Sequence, residues 1–153
     1  MLTKTPQEIS REYYQFAENF IQTDFEDEKF LGKFYTDYDI ANKMMQILCK
    51  NYILNLFSSD IRIIDPFCGD GRLIISLLAE LLKNPMLSCK KIFISIWDID
   101  DVAVKEAKHA IEGFCISNKM QYEIDFCKTD AFVECENIQG TYDICVTNPP
   151  WGL

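Results

Sequence analysis

Between residues 61 and 147 the chain alternates short apolar runs with longer stretches of helical period. Ile61 to Ile64 is a brief β-branched run, the kind that fills a buried parallel strand. Gly71 to Lys83 has helical spacing, and Asn84-Pro85 stops it. Lys91 to Trp97 predicts a second strand, and Asp100 caps a helix from Val102 to about Cys115. Tyr122 to Phe126 predicts a third strand and Tyr142 to Thr147 a fourth. Strands alternating with helices imply right-handed crossovers and a parallel sheet covered on both faces. The first 58 residues read differently. Thr5-Pro6-Gln7-Glu8 has the form of a helix start, and Ile9, Tyr13, Phe16 and Phe20 continue it at helical spacing. An acidic connector, Asp24 to Glu28, and an irregular aromatic segment, Phe30 to Thr36, follow. Thr36 or Asp37 then caps a second helix to about Phe57, with Ile40, Met44, Ile47 and Leu48 as its apolar face. The expected division is a helical segment, 1–58, and an α/β core, 59–153. Four strands leave the last with an open edge, so the core is expected to be incomplete at its C-terminus.

Composition narrows the options. The 153 residues suit one domain, and 48% apolar content excludes a disordered polymer. Fifteen Lys+Arg against 24 Asp+Glu give a net charge of −9, which excludes a stand-alone nucleic-acid clamp. If DNA or RNA is the substrate, most of the grip must come from residues outside this chain. The seven Cys are never closer than eight positions, so there is no C-x-x-C pair and no zinc spacing. They suit reduced thiols in a cytoplasmic protein. The lone His109 reads as a helix-face residue, and no metal is expected. Met1 to Arg11 is polar, and the longest apolar run, Leu73 to Leu82, contains Glu80. Neither secretion nor membrane insertion is expected.

Candidate chemistry falls where strands end. Asp65-Pro66-Phe67-Cys68-Gly69-Asp70-Gly71 runs from the first strand into a helix, and its glycines allow close backbone approach to a ligand. A dinucleotide fingerprint would need a third glycine at Ile74, and a carboxylate at Asp65 repels phosphate but attracts ammonium or sulfonium. The loop therefore suits a nucleoside with a cationic tail. Asp98, ending the second strand beside Ile99, is placed to accept ribose hydroxyls; Asp100 is most simply a cap. Asp130, after the third strand, can accept from an exocyclic amine. The Ala131 backbone N–H can donate to a ring nitrogen, and Phe132 can pack on a purine; taken alone, these are a loop acid and a core Phe. Asn148-Pro149-Pro150-Trp151 follows the fourth strand. The Asn148 side chain and the Pro149 carbonyl are two acceptors for one aromatic amine, and Trp151 can stack on the base. Cys68 reads as a space-filler, and Lys33, Lys90 and Lys91 as solvated surface charges.

These motifs resemble those of S-adenosylmethionine-dependent amino-methyltransferases, most closely the N6-adenine DNA methyltransferases of restriction–modification systems. Asp65 to Gly71 is similar to their D-P-x-x-G-x-G cofactor loop and Asn148 to Trp151 to their N-P-P-aromatic motif. Phe34-Tyr35-Thr36 looks like the F-[FY]-T-P segment of type I modification subunits, with Asp37 in place of the proline. The resemblance covers residue 30 onwards. It implies a Rossmann-like three-layer methyltransferase fold preceded by two helices, with S-adenosylmethionine as cofactor. It implies that Tyr35 and Thr36 reach the methionine end, that Asp65 takes the amino group and Asp98 the ribose, and that Asp130 and Phe132 hold the adenine; Pro66, Phe67, Gly69, Gly71, Ile99, Ala131 and Asn148 complete the pocket. It further implies DNA as substrate, read by a specificity subunit or fused recognition domain, and a partnered nuclease. Three other readings remain open: a methyltransferase for an RNA guanine amine or a protein glutamine, a non-catalytic cofactor-binding module, and a nicotinamide dehydrogenase. Trp151 and Phe34-Tyr35-Thr36 favour DNA adenine over the first, and Ile74 and Asp65 oppose the last. With its sheet incomplete, the isolated chain is expected to bind the cofactor weakly and to turn over little.

Overall fold

The computed structural model describes residues 36–52, 60–88, 90–138 and 140–150. The expected first helix, Lys33, Tyr35 and Trp151 lie outside them. The described elements are α1 (Tyr38–Asn51), β1 (Asp60–Asp65), α2 (Arg72–Leu81), the short α3 (Pro85–Ser88), β2 (Lys91–Asp98), α4 (Asp101–Ser117), β3 (Gln121–Lys128), the single turn α5 (Ala131–Glu134), a 3-10 turn (Cys135–Ile138) and β4 (Ile144–Cys145). All strand pairs are parallel, in the order β3-β2-β1-β4. The chain therefore steps outwards from β1 to β3, then returns across β1 to lay β4 on its other side.

That order puts α2 and α4 on one face, since both crossovers step in the same direction and both are right-handed. Ile61 and Ile63 of β1, Ile92, Ile94 and Ile96 of β2, and Ile144 and Val146 pack there against Leu73, Leu77, Ala107, Ile111 and Phe114. The opposite face is covered only in part among the described residues. It holds a small cluster of Ile64, Trp97 and Ala131 with Phe67, Ile138 and Tyr142, while Arg62, Glu123, Asp125 and Cys127 are exposed. Among the described residues, the cover expected on both faces is extensive on the first and partial on the second. Lys91, expected to be a solvated charge, pairs with Glu123 and lies 4.7 Å above the Phe93 ring.

Three elements depart from the sequence pattern. Asp37, not Thr36, caps α1, accepting from Asp39 N at 2.9 Å and Ile40 N at 3.4 Å. The face that α1 turns inward is Ala41, Asn42 and Met45, while Ile40, Met44 and Ile47 are exposed. Of the expected face only Leu48 packs on the core, partly buried with Tyr38 and Cys49, so the inward stripe is rotated from the one that spacing suggests. Pro85 does not merely stop α2; it begins α3, as proline suits a first helical turn. β4 is only Ile144–Cys145, although Asp143 N to Arg62 O (2.9 Å) and Val146 N to Ile64 O (3.0 Å) carry its pairing one residue each way.

Gly71 caps α2 at φ 81°, in the left-handed region. A Cβ there would meet Ala107 Cβ and Ile111 Cδ1, each at 3.2 Å, where α4 crosses the loop. Gly71→Ala should therefore cost about 1–3 kcal/mol, strain and crowding combined. A lowered urea midpoint with an unchanged slope is the expected result.

Candidate active site

Apart from Thr36, which precedes α1, the described candidate residues follow the carboxyl ends of the parallel strands, where an α/β fold presents its ligand crevice. Asp65 is the last residue of β1 and fully buried. Its Oδ1 accepts from Phe67 N at 3.1 Å, whereas its Oδ2 has no hydrogen-bond partner. Thr147, two residues past β4, brings its hydroxyl near enough to favour the charged carboxylate, yet Thr147 Oγ1 is likewise without a partner. Burial pushes the Asp65 carboxyl up from 3.8 to about 7; the Phe67 N–H and Thr147 pull it down, and Asp98 and Asp70 push it further up. An unsatisfied buried oxygen of this kind costs free energy until a donor meets it.

The glycine loop is sewn to β2. Cys68 N donates to Trp97 O at 2.8 Å and Gly71 N to Cys68 O at 2.8 Å. Gly69, at φ 50°, donates from its N–H to Asp98 Oδ2 at 2.9 Å. Asp98 Oδ1 accepts from Asp100 N at 2.9 Å. Asp98 thus shapes the loop, a role its sequence position did not announce. Each of its oxygens keeps a second lone pair for a ligand hydroxyl. Asp100 caps α4 as expected, accepting from Val102 N at 2.9 Å. Ile99 between them is 68% exposed.

After β3, Asp130 Oδ1 accepts from Phe132 N at 2.9 Å, and its carbonyl accepts from Val133 N and Glu134 N, which starts α5. Ala131 is buried. Phe132 is not the core residue that its type alone suggests. It is 65% exposed and tilted by 53° against Phe67, ring centroids 5.0 Å apart. An exposed aromatic propped by a second one is a flat surface ready for a flat partner. Phe132→Ala should weaken binding of an adenosyl ligand about three- to tenfold and leave the melting temperature within about 1 °C, because the ring contributes little to the core.

Thr147-Asn148-Pro149-Pro150 leaves β4 half-buried, and its first residue stands beside Asp65. The N-P-P segment therefore starts at the glycine loop, as its position after β4 required. Pro66 is buried and Phe67 half-buried beneath the same rim. Cys68 is buried, and burial together with Asp65, Asp98 and Asp70 pushes its thiol far up, which suits a filler and not a nucleophile. His109 is exposed on α4, and no metal-binding cluster exists among the described residues. No described helix is long and apolar enough to cross a membrane. Sequence reasoning passed over Thr147, Asp70 and Arg72. The signal for the last was an arginine heading an otherwise apolar helix, Arg72-Leu73-Ile74-Ile75.

Residues 6–153 match the model of a family described as N-6 DNA Methylase. The chain is 31% identical over 121 residues to the type II methyltransferase M.VspI of Vibrio sp. (strain 343), an alignment that covers 79% of this chain and 26% of that protein. Its fold is similar to that of a structure described as a class I S-adenosylmethionine-dependent methyltransferase from Listeria monocytogenes. The TM-score is 0.61 and the identity 14%, over 97% of this chain and 40% of the other. The similarity to that structure shows a Rossmann-like α/β methyltransferase fold.

Proposed function

We propose, since this chain belongs to the N-6 DNA methylase family, that it forms the cofactor-binding and catalytic part of an enzyme transferring a methyl group from S-adenosylmethionine to the N6 amine of adenine in DNA. One observation carries the reading: a buried, unsatisfied carboxyl oxygen of Asp65 lies beside Thr147, immediately before Asn148-Pro149-Pro150. That donor set fits the cofactor. A buried carboxyl oxygen with no partner suits an ammonium group and opposes a phosphate, which argues against a nicotinamide dinucleotide. Asp65, Pro66, Phe67, Gly69 and Gly71 would hold the cofactor from below, Asp98 and Ile99 at the ribose, Asp130, Ala131 and Phe132 at the base, and Tyr35 and Thr36 at the methionine end. When bound, the sulfonium supplies an electrophilic methyl group.

The remaining chemistry belongs to groups of the chain itself. An adenine amine delocalises its lone pair into the ring and is a poor nucleophile. Acceptors on both N–H bonds, the Asn148 carboxamide oxygen and the Pro149 carbonyl, favour a pyramidal nitrogen. With the methyl donor held at Asp65 and Asp98, that nitrogen would accept the methyl group, and the surplus amine proton would leave to water. Trp151 would stack on the flipped base. The chain is acidic and spans 26% of its Vibrio relative, so grip on DNA and sequence reading are proposed to reside elsewhere, in a recognition region or specificity subunit, with a nuclease as a further proposed partner.

Two measurements test this. Calorimetric titration of the chain should show binding of S-adenosylmethionine that excess NAD does not displace. Labelled methyl transfer by the complete protein, offered DNA, RNA and protein in parallel, should mark adenine in DNA; label in RNA or protein alone would sink the substrate assignment.

A further inference from the structure

The turn that opens α2 holds an ion pair that the reading above leaves unused. Arg72 Nε donates to Asp70 Oδ1 and Oδ2 at 3.0 and 2.9 Å, and Nη2 to Oδ2 at 2.6 Å. Nη1 reaches the carbonyl oxygen of Thr36, 36 residues earlier in the chain, at 2.7 Å. The side chains of Arg72 and Asp70 are 11% and 2% exposed. Asp70 Oδ1 also accepts from Arg72 N at 3.2 Å, which keeps the carboxylate inside the helix-initiating turn. The fork between Asp70 and Arg72 is thus fixed at its root, and one direction of the planar guanidinium is left to point at Thr36. The next residue, Asp37, caps α1. Arg72 therefore holds the chain at the point where it enters α1, against the loop that carries Gly69 and Gly71.

We infer that Arg72, oriented by Asp70, is a positioning residue: it sets Thr36 over the glycine loop and so makes Thr36 available to the cofactor. The inference rests on the cofactor reading above. It requires both the fork and the charge. A lysine offers a point charge that cannot grip Asp70 at two oxygens while also donating to a carbonyl in a set direction. A methionine of similar length keeps the packing and loses every donor.

The test combines hydrogen exchange with calorimetry on wild type, Arg72→Met and Arg72→Lys. In Arg72→Met, exchange should rise at the amides of residues 38–41 and stay unchanged at 61–64 in β1. Affinity for S-adenosylmethionine should fall about tenfold, the value of one charge-assisted hydrogen bond. Arg72→Lys should recover only part of that loss. Unchanged exchange at 38–41, unchanged affinity, or full recovery by lysine would each overturn the inference. Should Arg72→Met fail to fold, Arg72→Lys decides alone: a local rise in exchange with weakened binding supports the clamp, and wild-type behaviour refutes it. A wild type that does not bind S-adenosylmethionine refutes the cofactor reading, whereas binding indifferent to residue 72 refutes the clamp alone.

Discussion

Replacing Asn148 by Ala should cut methyl transfer by the complete protein about 10²- to 10³-fold while leaving affinity for S-adenosylmethionine within about twofold. The reasoning follows from where Asn148 stands. It is two residues beyond the last β4 hydrogen bond, Val146 N to Ile64 O, and one beyond the Thr147 hydroxyl that faces Asp65. In the proposed reaction its carboxamide oxygen accepts from the adenine amine and strengthens that bond as positive charge develops on nitrogen. Loss of one such preorganised partner typically removes about 2.7–4 kcal/mol from the transition state and much less from the ground state. Asp98→Ala should behave in the opposite way. It strips the acceptor from Gly69 N and Asp100 N, so the loop loosens and cofactor binding weakens first, while turnover at saturating cofactor survives. Single-turnover rates and calorimetric affinities on the two variants separate the roles, and exchanged phenotypes would show the assignments to be wrong.

The parts of this site that were legible in sequence are those whose chemistry is local. A β-branched run followed by D-P-x-x-G-x-G is read by neighbours in the chain, and β1, the loop and α2 fall where the pattern put them. Asp100 was readable as a cap because a cap bonds to an amide two residues on. What escaped was everything settled between distant segments. Ile40, Met44, Ile47 and Leu48 promised the buried face of α1, but only Leu48 of them packs on the core beside Ala41, Asn42 and Met45, because the stripe that is buried is settled by where α2 lies and not by spacing along α1. Asp98 was read only as a ligand group, since its bond to Gly69 N spans 29 residues. Arg72 and Thr36 are 36 residues apart, and no spacing rule joins them. Phe132 was ambiguous by type alone; its exposure is decided by α5, a single helical turn too short to show a period.

Asp65 sets up the other large effect, a conflict between stability and binding that depends on pH. Its carboxyl is held at about 7 in the folded protein against an ordinary 3.8, chiefly by burial. The folded state therefore keeps its proton more tightly than the unfolded chain between those values. For such an acid, stability falls as pH rises from about 4 to about 7, and the full penalty, about 4 kcal/mol as an upper bound, is present above that range. Asp65→Asn should remove it. The carboxamide can still accept from Phe67 N and can donate to the partnerless Thr147 hydroxyl, so the variant should melt higher than wild type at pH 8 and no higher at pH 4. The same substitution should weaken S-adenosylmethionine about 10- to 100-fold at pH 8, because the ammonium group then meets a neutral amide. In wild type, a cationic ligand binds the ionised carboxylate and releases its proton. Affinity should accordingly be about tenfold lower at pH 6 than at pH 8, with proton release visible as a buffer-dependent enthalpy. The profile of the Asp65→Asn variant should be flat over that range. A flat profile in wild type, or a variant less stable than wild type at pH 8, would mean that Asp65 does not carry the charge that receives the cofactor.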